Sequence, residues 1–355
     1  IPLSRMNLGV FALHPEMAGY AVSWSEGMEE PTEFPVTRED MLTPMYLNSP
    51  IKVLVDQRQP LHFNLECQED VQQYSVLSEF RDNGNTDYRG FAIPYGEEGV
   101  AALTFCTNRP GGFTPAEISA IEELFPLLGL LIDLVETRRL SHTVLRTYLG
   151  RNTSQRVLQG KIQRGQGEHI TAALWLCDLR KFTVLTDRLE PQVLIHLMNR
   201  YFDCMAEAVW ANGGEILKFM GDAMLAVFRI TEQRSPKTAS QQAVQAGHEA
   251  QQRLSVLSQA CVDEGIGPLQ AGVAVHLGEV VYGNIGAKTR LDFTVMGSNV
   301  NLLARLQTLT ARLAEPMLVT ADIAAHLSPD PDSIGEHEIK GLERPLEIFR
   351  PKPPE

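Results

Sequence analysis

The alternation of hydrophobic and polar positions is clearest between residues 170 and 228. Two short apolar runs, residues 172–177 and 224–228, each adjoin one aspartate: Asp178 follows the first run and Asp222 precedes the second. Between the runs, apolar residues recur at three and four positions, as on the buried face of a helix: Leu194, Leu197, Met198, Tyr201, Phe202, Met205, Ala208 and Val209. The pattern predicts a strand, a helix, a Gly-Gly turn, a strand, a tight turn and a further strand.

This order of elements places the two aspartates together. Hairpin pairing and right-handed crossovers make the strands that carry Asp178 and Asp222 neighbours, with both carboxylates at one edge of a sheet. Paired carboxylates in such a place suit hard divalent cations, whose coordination phosphates can complete. Aspartate is also common in turns, so an ordinary structural role for each residue stays open at this point.

Residues 1 to about 120 alternate strand-like and helix-like segments. The predicted strands are residues 8–13, 20–24, 88–94 and 99–107, and the predicted helices are residues 41–56 and 71–81. The first two strands are expected to pair across a loop that contains His14-Pro15. The last two are the strongest strand predictions, because turn residues bound them on both sides.

A long helix is predicted to follow. Thr114-Pro-Ala-Glu117 is a helix start, with Thr as the N-cap and Glu as the reciprocal capping residue. From there a seam with coiled-coil spacing continues in steps of four and three: Leu124, Leu128, Leu131, Val135, Arg138, His142, Leu145 and Leu149. We predict one helix over residues 114–149, kinked at Pro126, that pairs in parallel with a second copy. The alternative is a helix whose stripe packs on its own domain.

Composition restricts the classes of function. A chain of 355 residues predicts two domains. Its net charge of −13 argues against a nucleic-acid-binding surface, so no nucleic-acid partner is expected. The five cysteines are scattered without CxxC spacing, which indicates reduced thiols and a cytoplasmic protein. The longest apolar stretch is too short to span a bilayer. Because the chain begins at Ile1 without a signal peptide, we expect a fragment, with a membrane or sensor segment upstream as one option.

Four motifs in the second half carry a family resemblance. They are LCDLRKFT (176–183), ILKFMGDAMLAVF (216–228), FTVMGSNVNLLARL (293–306) and IKGLERP (339–345). In this order they resemble the class III nucleotide cyclase catalytic domain, the adenylate/guanylate cyclase family. The resemblance implies a C-terminal ferredoxin-like βαββαβ core in an α+β or α/β protein.

The resemblance also implies a two-metal reaction. Asp178 and Asp222 match the family's metal-binding aspartates, with the backbone carbonyl of Leu179 as a further ligand of two Mg²⁺ or Mn²⁺ ions per active site. The turn after Leu179 opens a helix, and Phe182 and Thr183 are expected to lie at the triphosphate. Lys181 departs from the family, which commonly has glycine at this position.

Further matches concern the purine and the transition state. Lys218 matches the lysine that selects adenine, because a donor-only ammonium suits the acceptor N1 of adenine. Thr294 matches the second purine-reading position. Asn301 and Arg305 lie four residues apart on one helix face and match the pair that orients the ribose and stabilises the pentavalent phosphate. Lys340 matches the lysine that contacts the terminal phosphates. A second departure, Leu303, stands where the family usually has alanine.

The resemblance predicts assembly and domain organisation. In the family, one protomer supplies the aspartates and the other the Asn/Arg pair, so a chain with all these positions is expected to form a homodimer that binds ATP at the interface. Residues 1–120 resemble a GAF-type regulatory domain, with a central antiparallel sheet and helices on one side. The predicted organisation is this sensor domain (1–120), the coiled-coil helix (114–149), a transducer linker (150–165) and the cyclase domain (166–355). A small ligand or an upstream sensor is the expected partner of residues 1–120.

Other functions stay open. The leading prediction is an adenylate cyclase, a phosphorus–oxygen lyase that converts ATP to cyclic AMP and pyrophosphate. A guanylate cyclase is disfavoured by Lys218, and a diguanylate cyclase by the sequence after Gly213-Gly214-Glu215, which departs from the turn that such enzymes need. A catalytically silent nucleotide-binding dimerisation module is the alternative from another class.

Overall fold

The computed structural model describes residues 1–12 and 17–353. The chain divides into two compact units, residues 1–144 and residues 145–355, and the division falls within one helix. Along the described residues, no helix combines the length and the apolar character that crossing a membrane requires.

The first unit is built on an antiparallel sheet of six strands. They are β1 (Arg5–Phe11), β2 (Met17–Ser25), β3 (Thr32–Thr37), β4 (Leu61–Asn64), β5 (Asp87–Tyr95) and β6 (Gly99–Thr107). Their order across the sheet is β3-β2-β1-β6-β5-β4. The predicted pairing of the first two strands is confirmed in β1 and β2. Leu13 and the predicted His14-Pro15 loop lie outside the described residues. The two strongest strand predictions are confirmed as β5 and β6, which pair with each other.

Helices cover the first unit's sheet on both faces. They are α1 (Pro44–Leu47), α2 (Pro50–Gln57), α3 (Gln68–Val71), α4 (Ser75–Asp82), α5 (Pro115–Glu122) and α6 (Phe125–Leu149), with a 3-10 turn at Asp40–Leu42. Leu103 and Phe105 of β6 pack in one core with Ile132 of α6. Cys106 of the same strand packs in a second core with Leu77 of α4. The expectation of helices on one side is therefore wrong, because β6 is buried on both of its faces.

Two predicted helices are interrupted, each at prolines. The prediction of one helix over residues 41–56 is wrong, since Pro44 and Pro50 each begin a new helix, capped by Thr43 and Ser49. The predicted helix over residues 114–149 is two helices, α5 and α6. The Thr114/Glu117 capping box is confirmed at the start of α5. Pro126 has no N–H to donate, so it is accommodated in the first turn of α6 and does not kink a continuous helix.

The second unit contains an eight-stranded sheet. Its strands are β7 (Gly167–Leu179), β8 (Glu215–Met220), β9 (Ala223–Arg229), β10 (Ala271–Ala287), β11 (Arg290–Met296), β12 (Met317–Thr320), β13 (Asp332–His337) and β14 (Leu346–Arg350). Its helices are α7 (Arg151–Leu158), α8 (Phe182–Arg188), α9 (Pro191–Ala211), α10 (Pro236–Asp263), α11 (Ser298–Arg312) and α12 (Ala321–Ala324). The strand order is β13-β14-β12-β10-β7-β9-β8, and β11 pairs with the far half of β10.

The predicted βαββαβ core is confirmed in this unit. The elements β7-α9-β8-β9-α10-β10 form an antiparallel sheet in the order β10-β7-β9-β8, which is the ferredoxin-like arrangement. Successive residues of a strand point to opposite faces. Trp175 and Cys177 accordingly share a core with α9 and α10, whereas Leu174 and Leu176 pack against α11. By the same alternation, Asp178 belongs to the face that α11 covers.

Candidate active site

Asp178 and Asp222 meet at one end of the central strands. Strands β7 and β9 pair with Asp178 opposite Ala223, and Asp222 lies in the turn that joins β8 to β9. Burial, together with the hydrogen bond and the negative charge of Asp222, raises the pKa of Asp178 to about 7, while the backbone N–H of Leu179 acts in the opposite direction. The prediction that Asp178 and Asp222 lie on neighbouring strands at one edge of the sheet is confirmed by this pairing, and a cation between the two carboxylates would relieve their repulsion.

The donor set fits a magnesium-type ion. Among residues 1–12 and 17–353, no group of three or more His, Cys, Asp or Glu side chains gathers as a metal site. The two carboxylates therefore supply only part of an oxygen coordination shell. Mg²⁺ is commonly held in this way, by one or two carboxylates with substrate phosphates and water completing the shell.

The turn after β7 has a strained residue. Lys181 adopts the left-handed conformation, with φ of 58° and ψ of 30°, at the start of α8. This conformation favours glycine, the residue that the family commonly has here. The side chain of Phe182 packs against the core and that of Thr183 is exposed. Only the backbone of Phe182 is therefore available to a ligand at this turn, because its ring is packed against the core.

Lys218 is re-aimed by an irregularity in β8. Ile216 lies opposite Ala226 and Lys218 opposite Leu225, so the register shifts by one residue at Leu217. Ala226 belongs to the core under α9, whereas Leu225 belongs to the core under α11. The shift thus turns Lys218 to the face of Asp178 and α11. There its Nζ lies 3.0 Å from Oδ2 of Asp292 on β11.

Thr294 lies two residues beyond Asp292, on the same face of β11. Its side chain is buried, and its Oγ1 atom has no hydrogen-bond partner within the described part of the chain. A buried hydroxyl without a partner is costly, which is consistent with a ligand that bonds to it. The two predicted purine-reading residues therefore lie on the facing strands β8 and β11.

Asn301 and Arg305 lie on the outer side of α11. Leu303, Leu306 and Leu309 of this helix face the sheet and are buried, whereas Asn301 is exposed and Arg305 half-buried. No hydrogen bond or ion pair described for residues 1–12 and 17–353 joins either side chain to Asp178 or Asp222. The structure therefore brings the aspartates together at one end of β7 and β9, and it places Asn301 and Arg305 on the side of α11 that is turned away from the buried leucines. Leu303, which departs from the family, is fully buried in the core between α11 and the sheet.

The guanidinium of Arg305 lies against the turn after Lys340. A Cβ atom built on Gly341 would come 2.8 Å from Nη1 of Arg305. The two predicted phosphate-binding residues Arg305 and Lys340 are thus close in the fold, and Lys340 is exposed. The glycine allows this approach because it has no side chain and adopts φ of 84°.

Three residues near the site were not predicted. Asp292 stands two positions before Thr294, and strand alternation alone could have indicated their common face. His276, buried in β10, hydrogen-bonds Thr320 and Asn299. Arg156 of α7 bonds Glu168 at 2.6 Å, and its guanidinium lies 5.7 Å from the ring of Phe293, the neighbour of Thr294. Helix α7 therefore contacts the strand that carries Thr294.

Comparison with known proteins identifies the family. The profile of the adenylate and guanylate cyclase catalytic domain matches residues 166–349, slightly more than half of the chain. The chain belongs to this family.

Two relatives and two solved structures illustrate the likeness. The adenylate cyclase of Anabaena cylindrica is 27% identical over 208 residues, which cover 54% of this chain and 38% of that protein. Adenylate cyclase 1 of Rhizobium meliloti is 26% identical over 176 residues, 48% of this chain and 26% of that protein. The chain thus spans well under half the length of these relatives.

The adenylyl cyclase CyaB from P. aeruginosa is 29% identical, with a TM-score of 0.48 over 52% of this chain and 94% of that one. A bacterial light-regulated adenylyl cyclase is 22% identical, with a TM-score of 0.55 over 82% of this chain and 91% of that one. At this identity, the second likeness concerns the fold alone.

Proposed function

We propose that this protein is an adenylate cyclase that converts ATP to cyclic AMP and pyrophosphate. The observation that carries the proposal is the position of Asp222 beside Asp178 at one end of β7 and β9, since two neighbouring carboxylates at the end of a sheet suit the metal ions that accompany a nucleoside triphosphate. In this reaction the ribose 3′-oxygen attacks the α-phosphorus. The bond to the bridging oxygen breaks, and pyrophosphate leaves with its electron pair.

Asp178 and Asp222, with the carbonyl of Leu179, would hold two Mg²⁺ or Mn²⁺ ions. When bound, such ions supply Lewis acidity to the 3′-hydroxyl and to the phosphates. Asn301 orients the ribose, and the guanidinium of Arg305 stabilises the charge on the pentavalent phosphate. Lys340 and the backbone at Phe182 and Thr183 bind the terminal phosphates.

Selection of ATP is assigned to Lys218 and Thr294. The ammonium of Lys218 donates to N1 of adenine and meets a donor in guanine. The buried Oγ1 of Thr294 accepts from the 6-amino group and thereby gains the partner that it lacks in the described part of the chain. A site built to pair with adenine rejects guanine because mismatched polar groups would stay unpaired.

We also propose that the active enzyme is a homodimer. The outward position of Asn301 and Arg305 on α11 supports a site in which these residues serve the aspartates of a second protomer. An exposed leucine stripe that begins at Leu124, one residue before α6, and continues along that helix gives independent support: Leu124, Leu127, Leu131 and Leu134 are 58, 57, 51 and 51% exposed. These residues repeat in steps of three and four, as in a coiled coil. Leu128 of the predicted seam faces its own core instead.

Regulation would reach the site through α7. Residues 1–120 are proposed as a GAF-type sensor that binds a small ligand or receives an upstream signal. A change there would alter the pairing of α6 in the dimer. The contact of Arg156 with Glu168 and with the ring of Phe293 would pass that change to the strand of Thr294.

Product formation by the full chain tests the proposal. Cyclic AMP from ATP and cyclic GMP from GTP are measured with Mg²⁺ and with Mn²⁺. Asp222→Asn is expected to lower turnover by roughly 100-fold or more while the protein stays folded. A preference for GTP would contradict the roles of Lys218 and Thr294 and favour a guanylate cyclase. Failure to turn over either nucleotide with either metal would contradict the enzyme and favour the silent module.

A further inference from the structure

The sheet-facing side of α6 changes character along the helix. Gly129, Ile132 and Glu136 are its buried residues, and their spacing of three and four puts them in one row. Ile132 packs in the apolar core, whereas Glu136, one turn later, is a carboxylate that is only 9% exposed. Carboxylates are seldom buried to this extent unless they are paired. The helix therefore places a charge where an apolar side chain would complete the packing.

A cavity lies beside this carboxylate. Its volume is about 460 Å³, within the range of roughly 300–1,000 Å³ that is usual for small-molecule sites. Its walls come mainly from β2, β3 and the part of α6 that begins at Glu136, so it lies within the first unit. Apolar surface is contributed by Met17, Phe34, Pro35 and Leu140. The cavity can therefore hold a small organic molecule, and it combines apolar walls with a buried charge.

The hydrogen bonds around the cavity leave its charges unequal. Tyr20 donates to Oε1 of Glu136 at 2.6 Å, and burial together with this bond raises the pKa of Tyr20, so the phenol stays a donor. The guanidinium of Arg139 lies 4.1 Å from the centre of the Tyr20 ring, but its Nη1 and Nη2 donate to Glu33, at 2.7 and 2.9 Å. Among the ion pairs of the described residues, none includes Glu136. The lining therefore carries two carboxylates and one guanidinium, a net charge of −1 with His142 neutral.

We propose that this cavity binds a small organic cation, an ammonium group on an apolar body, with the ammonium against Glu136. The inference rests on the sensor role proposed for residues 1–120, since it names the ligand class of that sensor and extends its site onto α6. An ammonium only donates and a carboxylate only accepts, so the pair satisfies both groups and makes the lining neutral. The apolar body would contact Met17, Phe34 and Leu140. Because α6 continues beyond residue 144, the ligand would contact the helix that enters the second unit.

The competing explanation is that these side chains have a structural role alone. The bonds of Tyr20 with Glu136 and of Arg139 with Glu33 would then only attach α6 to β2 and β3, and water would fill the cavity. The other alternative is an anionic ligand held by Arg139. The three explanations differ in the charge of the molecule that binds.

Binding of three probes of similar size to the full chain separates these explanations. The probes are 2-phenylethylamine, which is a cation at neutral pH, its neutral analogue 2-phenylethanol, and the anion 3-phenylpropanoate. Titration calorimetry measures their affinities for the wild-type protein and for Glu136→Gln, which keeps an acceptor for Tyr20 and removes the charge. Glu122→Gln is the matched control, because Glu122 is exposed at the end of α5 and outside the cavity. Melting temperatures establish that every variant is folded.

We expect the amine to bind with a Kd of about 1 mM or tighter, which a ligand of this size can reach. It should bind at least about tenfold more tightly than the alcohol or the carboxylate, because only the ammonium pairs with the buried charge of Glu136. In Glu136→Gln this preference for the amine is lost. Glu122→Gln leaves it unchanged.

Three results would overturn the inference. Absence of amine binding, or equal binding of all three probes, would leave Glu136 with a structural role alone. Tighter binding of the carboxylate than of the amine would assign the cavity to an anion held by Arg139. A preference for the amine that persists in Glu136→Gln would place the amine elsewhere on the protein. Calorimetry requires no turnover, so a chain that binds the amine but converts neither ATP nor GTP would contradict the proposed enzyme and not this site.

Discussion

The Nε2 atom of His276 lies 3.1 Å from Oδ1 of Asn299, near the start of the helix that carries Asn301 and Arg305. The amide nitrogen of Asn299 donates to the carbonyl of Glu279 at 2.8 Å, so its oxygen faces the imidazole. Nε2–H is therefore the donor, and Nδ1 accepts from the hydroxyl of Thr320 at 3.0 Å. This chain of hydrogen bonds ties the start of α11 to β10 and β12.

We predict that His276→Ala lowers kcat by about tenfold, because the start of α11 loses its anchor and Asn301 loses its fixed position. The hydroxyl of Thr320 and the amide oxygen of Asn299 also lose their bond to the imidazole, which costs about 1–3 kcal/mol of unfolding free energy. His276→Gln is the control, since its amide reaches the position of Nε2 and keeps the donor to Asn299. Equal loss of kcat in both variants would contradict the role of this hydrogen bond. Steady-state kinetics and urea unfolding supply the two measurements.

The same histidine predicts a pH dependence of stability. Burial lowers the pKa of His276, and its hydrogen bond to Asn299 and the charge of Asp322 offset this only in part. The unfolded state therefore binds a proton near pH 6.5 that the folded state does not bind, and the stability that neutral His276 provides is lost as the pH falls below that value. The slope is at most about 1.4 kcal/mol per pH unit. Urea unfolding at pH 7.5 and pH 5.5 measures it. His276→Gln should lose less stability than the wild-type protein over this interval, and parallel losses would contradict the assignment.

The hydrophobic pattern predicted those parts of the site that depend only on neighbouring residues in the sequence. The strands around Asp178 and Asp222 follow from apolar runs and a tight turn, so their neighbouring positions were predictable. The register shift at Leu217 was not, because plain alternation describes residues 215–220 equally well. The pair of Lys218 with Asp292 depends on that shift and on the pairing of β11 with β10.

The seam predicted along residues 124–149 was likewise only partly predictable from the sequence. Leu124 and Leu131 were predicted on the seam and are exposed. Leu128 was predicted there too but packs against the sheet, because Gly129 and Ile132 set the buried face of α6. The spacing of leucines alone does not decide which side of an apolar helix faces its own domain. That side is set by how the helix packs against the sheet.

The strained turn beside Asp178 predicts a stabilising substitution. Lys181 has φ of 58°, where a residue with a Cβ costs about 1–2 kcal/mol. The larger entropy of glycine in the unfolded chain offsets part of that gain. We expect Lys181→Gly to raise the free energy of unfolding by about 0.5–1 kcal/mol in urea titrations. Lys181→Ala keeps the strained backbone and removes the charge, so it should not stabilise; equal effects of both variants would assign the strain to the side chain.

The approach of Gly341 to Arg305 predicts a defect in the chemical step. In Gly341→Ala the new methyl group would meet the guanidinium of Arg305, which must move away from its present position. We expect kcat to fall about tenfold while KM for ATP changes little, since the arginine is assigned to the transition state. Gly335→Ala is the control, because Gly335 also has positive φ but no atom lies within 4 Å of the added Cβ among the described residues. Equal losses in both variants would point to backbone strain and not to Arg305.

The exposed leucine stripe predicts how the proposed dimer can be disrupted. Leu131 lies at the centre of the stripe, and Leu131→Glu would place two like charges against each other in a paired helix. We expect this variant to sediment as a monomer and to lose at least about tenfold in activity, with activity that rises with protein concentration. Thr137→Glu is the control, because Thr137 is exposed on the same helix but off the stripe.

Sedimentation and activity together distinguish the two parts of the dimer proposal. A Leu131→Glu variant that stays dimeric would show that α6 does not pair along this stripe. A variant that is monomeric and fully active at every concentration would show that one chain completes the site. That result would contradict the assignment of Asn301 and Arg305 to the partner's aspartates, because the outer face of α11 would then have to serve its own protomer.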